Sequence, residues 1–417
     1  MWHVVHHRSL HIREPNEVRI LRLVRDRRAL SRIEIARATG LHKATVTDLV
    51  AKLIKAGFLE DTGELESRQN VGRKRMILRF VPMAGLVAGV DIRMTNATVA
   101  ITDLNARVLA EETFEVPPNQ PVEDVLSRVA VAIKSLLKAG KHALSKLVGI
   151  GIGVQGIIDY STNTLKLSYN KREWQGECLS AHLEKVFSVP VYVENDVKTM
   201  ALGEYLLGAA KGTKDFVQLW VGEGLGAGIM INGQLHHGIS CSAGEIGYNM
   251  LESSAVDPGR YPFTCRNQEI FGQILTDANF IESYQRNGGG TGAEKVSVAY
   301  ITERARLGDP GAQQIIEEFV SLLGLVSINV VNVLNPEMIV LGGKLAQSHP
   351  AVAEMLQVKI HRDRLTPPAE AVRVRCAANG ENGVILGAVG LVLYELFEPV
   401  PGVTLRGGRR RNEEIPE

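Results

Sequence analysis

The sequence predicts an α/β protein that carries a small helical domain in front of its main part. Two helix patterns joined by a turn occupy about residues 30–58. Beyond Pro82 the pattern changes, and short apolar strands alternate with amphipathic helices. Such alternation is typical of sheets covered by helices. With 417 residues, the chain is long enough for two or three domains that each bury a core.

The first helix of the pair is predicted to begin at Ser31. Glu34 follows three residues later, so the two side chains can form a capping box. The buried side of this helix is expected to consist of Ile33, Ile35, Ala36 and Ala38. Gly40 then permits a tight turn, because glycine adopts left-handed backbone conformations without strain. An earlier helix at about residues 16–28 would complete a three-helix core.

The second helix of the pair has one apolar and one polar face. The residues expected to face inward are Val46, Leu49, Val50, Leu53 and Ile54. The residues expected to be exposed are His42, Lys43, Thr45, Thr47 and Lys52. Two helices joined by a tight turn are typical of a helix-turn-helix, whose second helix enters the major groove. We therefore expect the exposed side chains to contact DNA; an ordinary helical hairpin is the alternative interpretation.

A hairpin with a cationic tip follows the helix pair. Its strands are predicted at Phe58–Glu60 and Met76–Leu78, and its tip region carries Arg68, Arg73, Lys74 and Arg75. A β wing of this kind fits phosphates or the minor groove beside a recognition helix. Residues 1–80 carry 17 Lys and Arg against 9 Asp and Glu, a net charge of +8, whereas the whole chain has +1. This segregation predicts affinity for a polyanion, so residues 1–80 are interpreted as a winged helix-turn-helix domain.

The main part of the chain begins with three successive strands, predicted at Leu86–Ile92, Ala97–Thr102 and Val108–Glu115. The elements predicted next are a helix at about 122–137, a strand at 147–154, a helix near 179–187, a strand at 189–193, a helix at 197–207 and a strand pair within 216–231. A long helix at about 312–334, a buried strand at 338–341 and a helix at about 383–396 complete the pattern. This part therefore has two halves that each begin in antiparallel strands.

Composition and cysteine spacing exclude several classes of protein. We expect no apolar run long enough and uncharged enough to span a bilayer, and the N-terminus lacks the apolar core of a signal peptide. The four cysteines, Cys178, Cys241, Cys265 and Cys376, lie far apart, so neither a disulfide framework nor a CxxC metal clip is predicted. The protein is therefore expected to act in the cytoplasm without a membrane partner. Residues 401–417 are expected to form a disordered tail.

Several motifs occur in an order that resembles a known family. They are GVDIRMTN, GIGVQGIID, ENDVKTMALGE, GEGLGAGIMING, SAGEIGY, LNPEMIVLGG and NGVILGAVG. This order resembles the ROK family of sugar kinases and sugar-responsive repressors, over about Asn16 to Phe397. The resemblance implies two lobes of an actin-like, ribonuclease-H-like sugar-kinase fold, a sugar in the cleft between them, and a homodimer or homotetramer. The first lobe would be residues 81–195, completed by the C-terminal helix at about 383–398, and the second, with an oligomerisation surface, residues 196–382.

The two phosphate loops of the family's kinases are altered in this sequence. The family's DxGGTK loop corresponds here to Asp91-Ile92-Arg93-Met94-Thr95-Asn96, which keeps the aspartate but lacks both glycines and the lysine. The family's second loop, GTG, corresponds to Gly222-Glu223-Gly224, which places a carboxylate where polyphosphate would bind. We therefore expect no ATP binding and no enzymatic activity.

The family's sugar-binding residues are better preserved. By the resemblance, Asn195, Asp196 and Glu245 would bind sugar hydroxyls, with Asp196 as an acceptor rather than a catalytic base. Tyr248 stands where the family has a histidine, and it is assigned to the same site. Glu269 is matched to a glutamate behind the family's zinc cysteines; an ordinary surface glutamate is the alternative. Because only Cys265 remains of those cysteines, we expect neither zinc nor any other cofactor.

Three functional hypotheses follow from the sequence. The first is a repressor that binds a pseudo-palindromic double-stranded DNA operator and is released by a sugar or sugar derivative in the interlobe cleft. The second is an ATP-dependent sugar kinase with a DNA-binding head, which the altered phosphate loops disfavour. The third is a regulator controlled by a protein partner, which the loss of the histidine and of the zinc ligands favours.

Overall fold

The computed structural model describes residues 15–27, 29–66, 75–168, 171–251, 269–290, 295–362 and 367–397. The chain divides into two compact units. The first unit is formed by residues 1–194 together with 388–417, and the second by residues 195–387. Each unit has its own central sheet and its own hydrophobic core.

The first unit begins with a winged helical domain, referred to below as the head. Its elements are α1 (Pro15–Arg27), β1 (Leu30–Ser31), α2 (Arg32–Thr39), α3 (Lys43–Lys55), β2 (Leu59–Glu66) and β3 (Arg75–Phe80). The strands form a sheet in the order β1-β3-β2, in which β3 is antiparallel to both neighbours. The winged helix-turn-helix predicted from the sequence is thus confirmed.

The predicted capping box is present at the start of α2. The backbone NH of Glu34 donates to Ser31 Oγ at 3.4 Å, and the backbone NH of Ser31 donates to Glu34 Oε2 at 2.9 Å. Gly40 ends the helix with a φ of 72°, the left-handed conformation that the tight turn requires. These local interactions fix the angle at which α3 leaves the turn.

The predicted buried faces of α2 and α3 need correction at three positions. Ile33 and Ile54 are only half-buried, and Ala38 is exposed. Thr39 is buried instead, and its hydroxyl donates to the carbonyl of Ile35 at 2.7 Å. A polar threonine can face the core here because the helix backbone satisfies its hydroxyl group.

The wing strands are longer than the sequence indicated. The β2–β3 ladder runs from the Leu59–Phe80 pair to the Glu66–Arg75 pair, with a change of register between Asp61 and Leu65. Gly63, with a φ of 68°, lies at this irregularity, where two extra residues in β2 interrupt the alternation of exposed and buried side chains. The predicted wing-tip cations Arg68, Arg73 and Lys74 lie outside the described residues. Arg75 begins β3, and only its backbone is described.

The rest of the first unit is built around a five-stranded sheet. Its elements are β4 (Leu86–Ile92), β5 (Asn96–Asp103), β6 (Val108–Glu115), α4 (Val122–Ala139), β7 (Leu147–Val154), β8 (Ile157–Asp159), β9 (Thr164–Leu167), α5 (Ala181–Phe187) and β10 (Val191–Asn195). The sheet has the order β10-β7-β4-β5-β6; β4 and β7 are parallel, whereas β4, β5 and β6 form antiparallel neighbours. The carboxyl ends of β4 and β7 therefore lie at the same edge of the sheet.

The second unit repeats this plan with a second five-stranded sheet. Its elements are α6 (Asp196–Leu207), β11 (Phe216–Val221), β12 (Leu225–Ile231), β13 (Gln234–Leu235), β14 (Met250–Leu251), β15 (Glu269–Ile270), α7 (Phe271–Ile274), α8 (Asp277–Arg286), α9 (Val298–Arg306), α10 (Pro310–Leu334), β16 (Met338–Gly342), α11 (Lys344–Ser348), α12 (Ala351–Arg362), α13 (Pro367–Ala371) and β17 (Arg373–Cys376). The sheet has the order β13-β12-β11-β16-β17. β11 is antiparallel to β12 and parallel to β16.

Two glycines of β12 let α6 pack closely on this sheet. A Cβ at Gly228 would lie 2.5 Å from the Cβ of Ala201, and one at Gly226 would lie 3.0 Å from Val197. These glycines therefore serve a helix–strand contact inside the unit rather than a turn between strands. The contact fixes the first turns of α6, where two of the predicted sugar ligands lie.

The long helix α10 meets the length and composition of a membrane span. The expectation that no apolar run is long enough and uncharged enough to span a bilayer is therefore wrong by length and by composition. More than half of the apolar window is buried inside the protein, and α10 contributes residues such as Phe319 and Leu323 to the core of the second unit. α10 is therefore buried as a core helix is, and its apolar composition reflects contacts on several of its sides.

The last helix, α14 (Gly383–Phe397), begins in the second unit and ends in the first. Its final residue, Phe397, is 2% exposed and contacts the head. The guanidinium of Arg25 in α1 lies 4.2 Å from the centre of the Phe397 ring, and the ring of Phe80 in β3 meets it edge-on at 6.0 Å. A cation–π contact and an aromatic pair thus attach the head to the end of α14.

We predict that Phe397→Ala loosens the head. Truncating a buried phenylalanine costs about 3–5 kcal/mol, and here the lost contacts are those that hold α1 and β3. Hydrogen exchange should become faster at the amides of α1 and β3, while the amides of β11 in the second unit serve as an internal reference. Leu396→Ala, at a half-buried neighbouring position, is the control and should change exchange little. Unchanged exchange in the head of the Phe397→Ala protein would contradict this assignment.

Candidate functional site

The exposed face of α3 carries the five side chains predicted to contact DNA. These residues, His42, Lys43, Thr45, Thr47 and Lys52, are all exposed. The opposite face is fixed on the head by the buried Val46, Leu49, Val50 and Leu53. The outer face of α3 can therefore enter a groove without disturbing the core of the head.

Two of these side chains also interact with the backbone of α3. The His42 imidazole caps the helix by accepting a hydrogen bond from the NH of Ala44 at 3.4 Å. The Thr47 hydroxyl donates to the carbonyl of Lys43 at 2.9 Å, so its exposed oxygen can still accept a hydrogen bond. Lys43 lies in the first turn, where the positive end of the helix dipole adds to the attraction for phosphate.

The altered phosphate loop at the end of β4 contains an internal ion pair. Asp91 is buried, and its Oδ2 accepts a hydrogen bond from Nε of Arg93 at 2.7 Å. The other oxygen, Oδ1, is buried without a hydrogen-bond partner among the described residues. Burial raises the pKa of the Asp91 carboxyl group above its ordinary value, and the charge of Arg93 opposes this rise. Arg93 thus neutralises the aspartate that this loop shares with the family's kinases.

The second altered phosphate loop is lined by more negative than positive charge. Glu223, between β11 and β12, is exposed, and the backbone NH of Asp277 donates to the carbonyl of Gly222 at 2.8 Å. Lys344 forms a salt bridge with Asp277 at 3.1 Å. Burial raises the pKa of Asp277 above its ordinary value, Lys344 opposes this rise, and the charge of Glu223 adds to it. Two carboxylates against one ammonium make this loop unfavourable for a polyphosphate.

Asn195 and Asp196 form the N-terminus of α6, as a cap and a first-turn residue. Asn195 Oδ1 accepts a hydrogen bond from the NH of Lys198 at 3.1 Å, and its carbonyl accepts one from the Thr199 hydroxyl at 2.6 Å. Asp196 Oδ1 accepts a hydrogen bond from the NH of Val197 at 2.9 Å. Both side chains are half-buried, so the backbone orients them while part of each reaches solvent.

Glu245, the third predicted sugar ligand, lies near a buried lysine of the same helix. Lys198 is 2% exposed, and its Nζ donates to the carbonyl of Cys241 at 2.5 Å. Burial raises the pKa of the half-buried Glu245 above its ordinary value, and the ammonium of Lys198 opposes this rise. Lys198 thereby connects the first turn of α6 to the loop that carries Glu245.

The structure changes two expectations about this site. Asn195, Asp196 and Glu245 all belong to the second unit, whereas the lobe boundary expected from the sequence placed Asn195 in the first lobe and the other two residues in the second. Lys198 was not singled out from the sequence, although it stands inside the quoted motif ENDVKTMALGE. The sequence signal for its role is its position two residues after Asp196. There it lies on the inward-facing side of a predicted helix, among apolar residues.

The remaining two candidate residues are less well defined. Tyr248 is 46% exposed and ends the short turn Ile246–Tyr248 that follows Glu245. Glu269 begins β15 and pairs with Leu251 of β14, and only its backbone is described. Cys265 lies outside the described residues. Among the residues that are described, no group of three His, Cys, Asp or Glu side chains is arranged to hold a metal ion.

Comparisons with known proteins agree with the motif order. The chain matches the ROK family over residues 87–395 and the MarR family over residues 14–70. It is 27% identical to the putative xylose repressor of Caldicellulosiruptor sp. (strain Rt8B.4), over 93% of this chain and 97% of that protein. It is 26% identical to the DNA-binding transcriptional dual regulator NagC of Escherichia coli (strain K12), over 85% of this chain and 86% of that protein.

A solved structure extends the similarity to the fold. The crystal structure of a ROK family transcriptional regulator, a homolog of the E. coli MLC protein, covers 92% of this chain and 96% of its own, with a TM-score of 0.76 and 22% identity. The predicted fold class is thereby confirmed. Both relatives named above match this chain over at least 85% of its length and at least 86% of their own. The chain belongs to the ROK family and has the domain organisation of that family's sugar-responsive transcriptional repressors.

Proposed function

We propose that this protein binds a pseudo-palindromic double-stranded DNA operator as a homo-oligomer in the cytoplasm, and that a sugar bound at Asn195, Asp196 and Glu245 releases it. The observation that carries this proposal is the acceptor-rich site at the N-terminus of α6, which coexists with two altered phosphate loops. The effector is expected to be a simple sugar or sugar derivative, because the similar proteins are named after xylose and N-acetylglucosamine.

The chemistry of the site suits hydroxyl groups. An ionised carboxylate accepts several hydrogen bonds, and the amide of Asn195 can donate as well as accept. Hydrogen bonds to an ionised carboxylate are roughly twice as strong as those between neutral groups. Two carboxylates and one amide on adjacent segments therefore fit a polyol, whose neighbouring hydroxyl groups can be contacted together.

The alternative of a sugar kinase with a DNA-binding head has less support. Phosphoryl transfer requires donors and cations around the phosphates, whereas Arg93 is paired with Asp91, and Glu223 and Asp277 add negative charge at the other loop. Control by a protein partner stays open as a second candidate. The exposed Tyr248 beside Glu245, where the family has a histidine, is the feature that favours it.

The DNA-binding part of the proposal predicts a change in salt dependence. The operator would first be selected from random double-stranded DNA by the full-length protein, and the selected sites should be pseudo-palindromic because two heads bind two half-sites. Lys43→Ala should lower the salt slope of operator binding by about 1 unit if Lys43 contacts a phosphate. Lys138→Ala, an exposed lysine at the end of α4, is the control. Equal slopes for Lys43→Ala and the parent would show that Lys43 does not contact a phosphate.

The effector part of the proposal predicts a variant that binds DNA but does not respond to sugar. Asp196→Asn keeps an oxygen for the NH of Val197 and removes the charge that a sugar hydroxyl would contact. A hydrogen bond to a charged group contributes about 1.5–3 kcal/mol, so operator release should need at least about tenfold more sugar. In the absence of sugar, Asp196→Asn should bind the operator with the same affinity as the parent. The control Asp124→Asn, on α4, should do the same. If Asp196→Asn responds like the parent, the effector binds elsewhere and the protein-partner hypothesis gains.

The position of Lys198 predicts a pH dependence of the sugar response. Because the pKa of Glu245 is raised, the affinity for sugar should fall as the pH falls through that raised pKa, where the carboxylate takes up a proton. Lys198→Gln keeps a donor for the Cys241 carbonyl and removes the opposing ammonium, so the decline should begin at higher pH than in the parent. Sugar titrations across a pH series test this, with the exposed Lys185→Gln as control. Identical pH profiles for Lys198→Gln and the parent would show that Glu245 does not contact the sugar.

A further inference from the structure

The buried carboxylate of Glu204 connects two segments of the second unit. Glu204 lies in the last turn of α6 and is 1% exposed. Its Oε2 accepts hydrogen bonds from the NH groups of Ala209, at 2.6 Å, and of Ala378, at 3.1 Å. Its Oε1 accepts a hydrogen bond from the NH of Asn379 at 2.8 Å. Because the last two donors lie between β17 and α14, this carboxylate joins the end of α6 to the loop that leads into α14.

This connection is costly to break. A buried carboxylate that loses its donors is left as an uncompensated charge inside the protein. The chain leaves α6 at Gly208, where any Cβ would overlap the Glu204 carboxylate. A glycine at this position therefore makes room for the carboxylate to reach the loop. The end of α6 and the loop before α14 should consequently move together.

The start of α14 also packs directly on α6 through glycines. A Cβ at Gly203 would lie 3.1 Å from the backbone nitrogen of Gly387, and one at Gly383 would lie 3.3 Å from Cγ of Met200. Any Cβ at Gly387 would overlap the carbonyl of Thr199. Because the two helix backbones touch here, neither helix can tilt or slide without displacing the other.

Thr199 lies between this helix contact and the candidate sugar site. It is fully buried, and its hydroxyl donates to the carbonyl of Asn195 at 2.6 Å. Asp196, the first residue of α6, precedes Glu204 by eight residues, which is about 12 Å along a helix. A sugar held by Asn195 and Asp196 would therefore act on one end of a helix whose other contacts position the start of α14.

The remainder of α14 is fixed in the first unit. Any Cβ at Gly151 in β7 would overlap the carbonyl of Ala388, and one at Gly149 would lie 2.6 Å from Cγ1 of Val392. The helix ends at Phe397, to which the head is attached. One continuous helix thus begins against α6 and ends against the head.

We propose that Glu204 is a positioning residue for the response to sugar: it couples α6 to α14, so that a sugar bound at the start of α6 displaces α14 and, with it, the head. This inference rests on the proposed function and identifies the connection through which the sugar would act. A ligand changes an equilibrium only when it prefers one arrangement of the chain, and the Glu204 connection makes the position of α14 part of that arrangement.

A second connection leads from the sugar site into the first unit. β10 ends at Asn195, and α6 begins at the next residue. A signal could therefore pass from Asn195 directly into β10, without α14. Glu204 lies at the opposite end of α6, so a change at Glu204 affects the route through α14 and leaves the route through β10 intact.

The test separates sugar binding from operator release in the full-length protein. Glu204→Gln replaces one acceptor oxygen by an NH2 group, which cannot accept from a backbone NH. A panel of simple sugars, including xylose, N-acetylglucosamine and glucose, first identifies the sugar that releases the parent. Calorimetry without DNA should then show little change in the affinity of Glu204→Gln for that sugar. Saturating sugar should weaken operator binding by less than about twofold in the variant, against about 5–150-fold in the parent.

A control variant accounts for a general loss of stability. Ser297 caps α9 in the same unit by accepting a hydrogen bond from the NH of Tyr300 at 3.1 Å. Ser297→Ala removes this cap without changing α6 or α14, and it should keep both the sugar affinity and the operator release of the parent.

Gly203→Ala keeps the test decisive if Glu204→Gln does not fold. Its Cβ would displace Gly387 by a few tenths of an ångström, whereas alanine itself favours a helix. The variant should therefore fold, bind sugar and release the operator less than the parent does. Gly324→Ala in α10 is the matched control, because its Cβ would meet the flexible side chain of Lys359. It should respond like the parent.

Three results would overturn the inference. If the folded Glu204→Gln and Gly203→Ala proteins release the operator like the parent, the signal passes through β10. If they lose sugar affinity together with the response, α6 only supports the sugar site. If no sugar of the panel weakens operator binding by the parent, the proposed function fails and the inference fails with it. In the first two cases the parent still responds to sugar, so the proposed function is retained.

Discussion

The buried ammonium of Lys198 is the interaction on which the candidate sugar site depends. It connects the first turn of α6 to the Cys241 carbonyl and lies near Glu245, so one side chain sets the spacing between two of the segments that would contact a sugar. The glycines of β12 also fix this helix, because they allow close contact with Val197 and Ala201. A site that is held in this way binds its ligand without first having to order its own groups.

The two altered phosphate loops explain why such a site would regulate rather than catalyse. Each loop now contains charges that interact within the protein: Arg93 with Asp91 in one, and Lys344 with Asp277 beside Glu223 in the other. A bound sugar can then change function only by preferring one conformation of the chain over another. Arg25 and Phe80 attach the head to Phe397 at the end of α14, so the position of α14 bears directly on the position of the DNA-binding helix.

Much of this architecture could be predicted from local sequence signals. Ser31, Glu34 and Gly40 define a helix start and a turn through interactions within ten residues, and β4 and β7 consist almost entirely of apolar residues and glycine. The predictions were wrong where tertiary contacts decide burial. Ala38 is exposed while Thr39 is buried, and Lys198 is buried because a carbonyl 43 residues away satisfies it. No local pattern of residues contains that information.

In the proposed function, sugar binding weakens operator binding without any chemical reaction. This proposal is tested most directly by measuring operator affinity of the full-length protein, at fixed salt, across a panel of simple sugars, with ATP present and ADP formation followed in the same samples. We expect one sugar to weaken operator binding by about 5–150-fold, a coupling of about 1–3 kcal/mol, while no ADP forms. Operator affinity that no sugar changes, or ADP formation that depends on sugar, would contradict it.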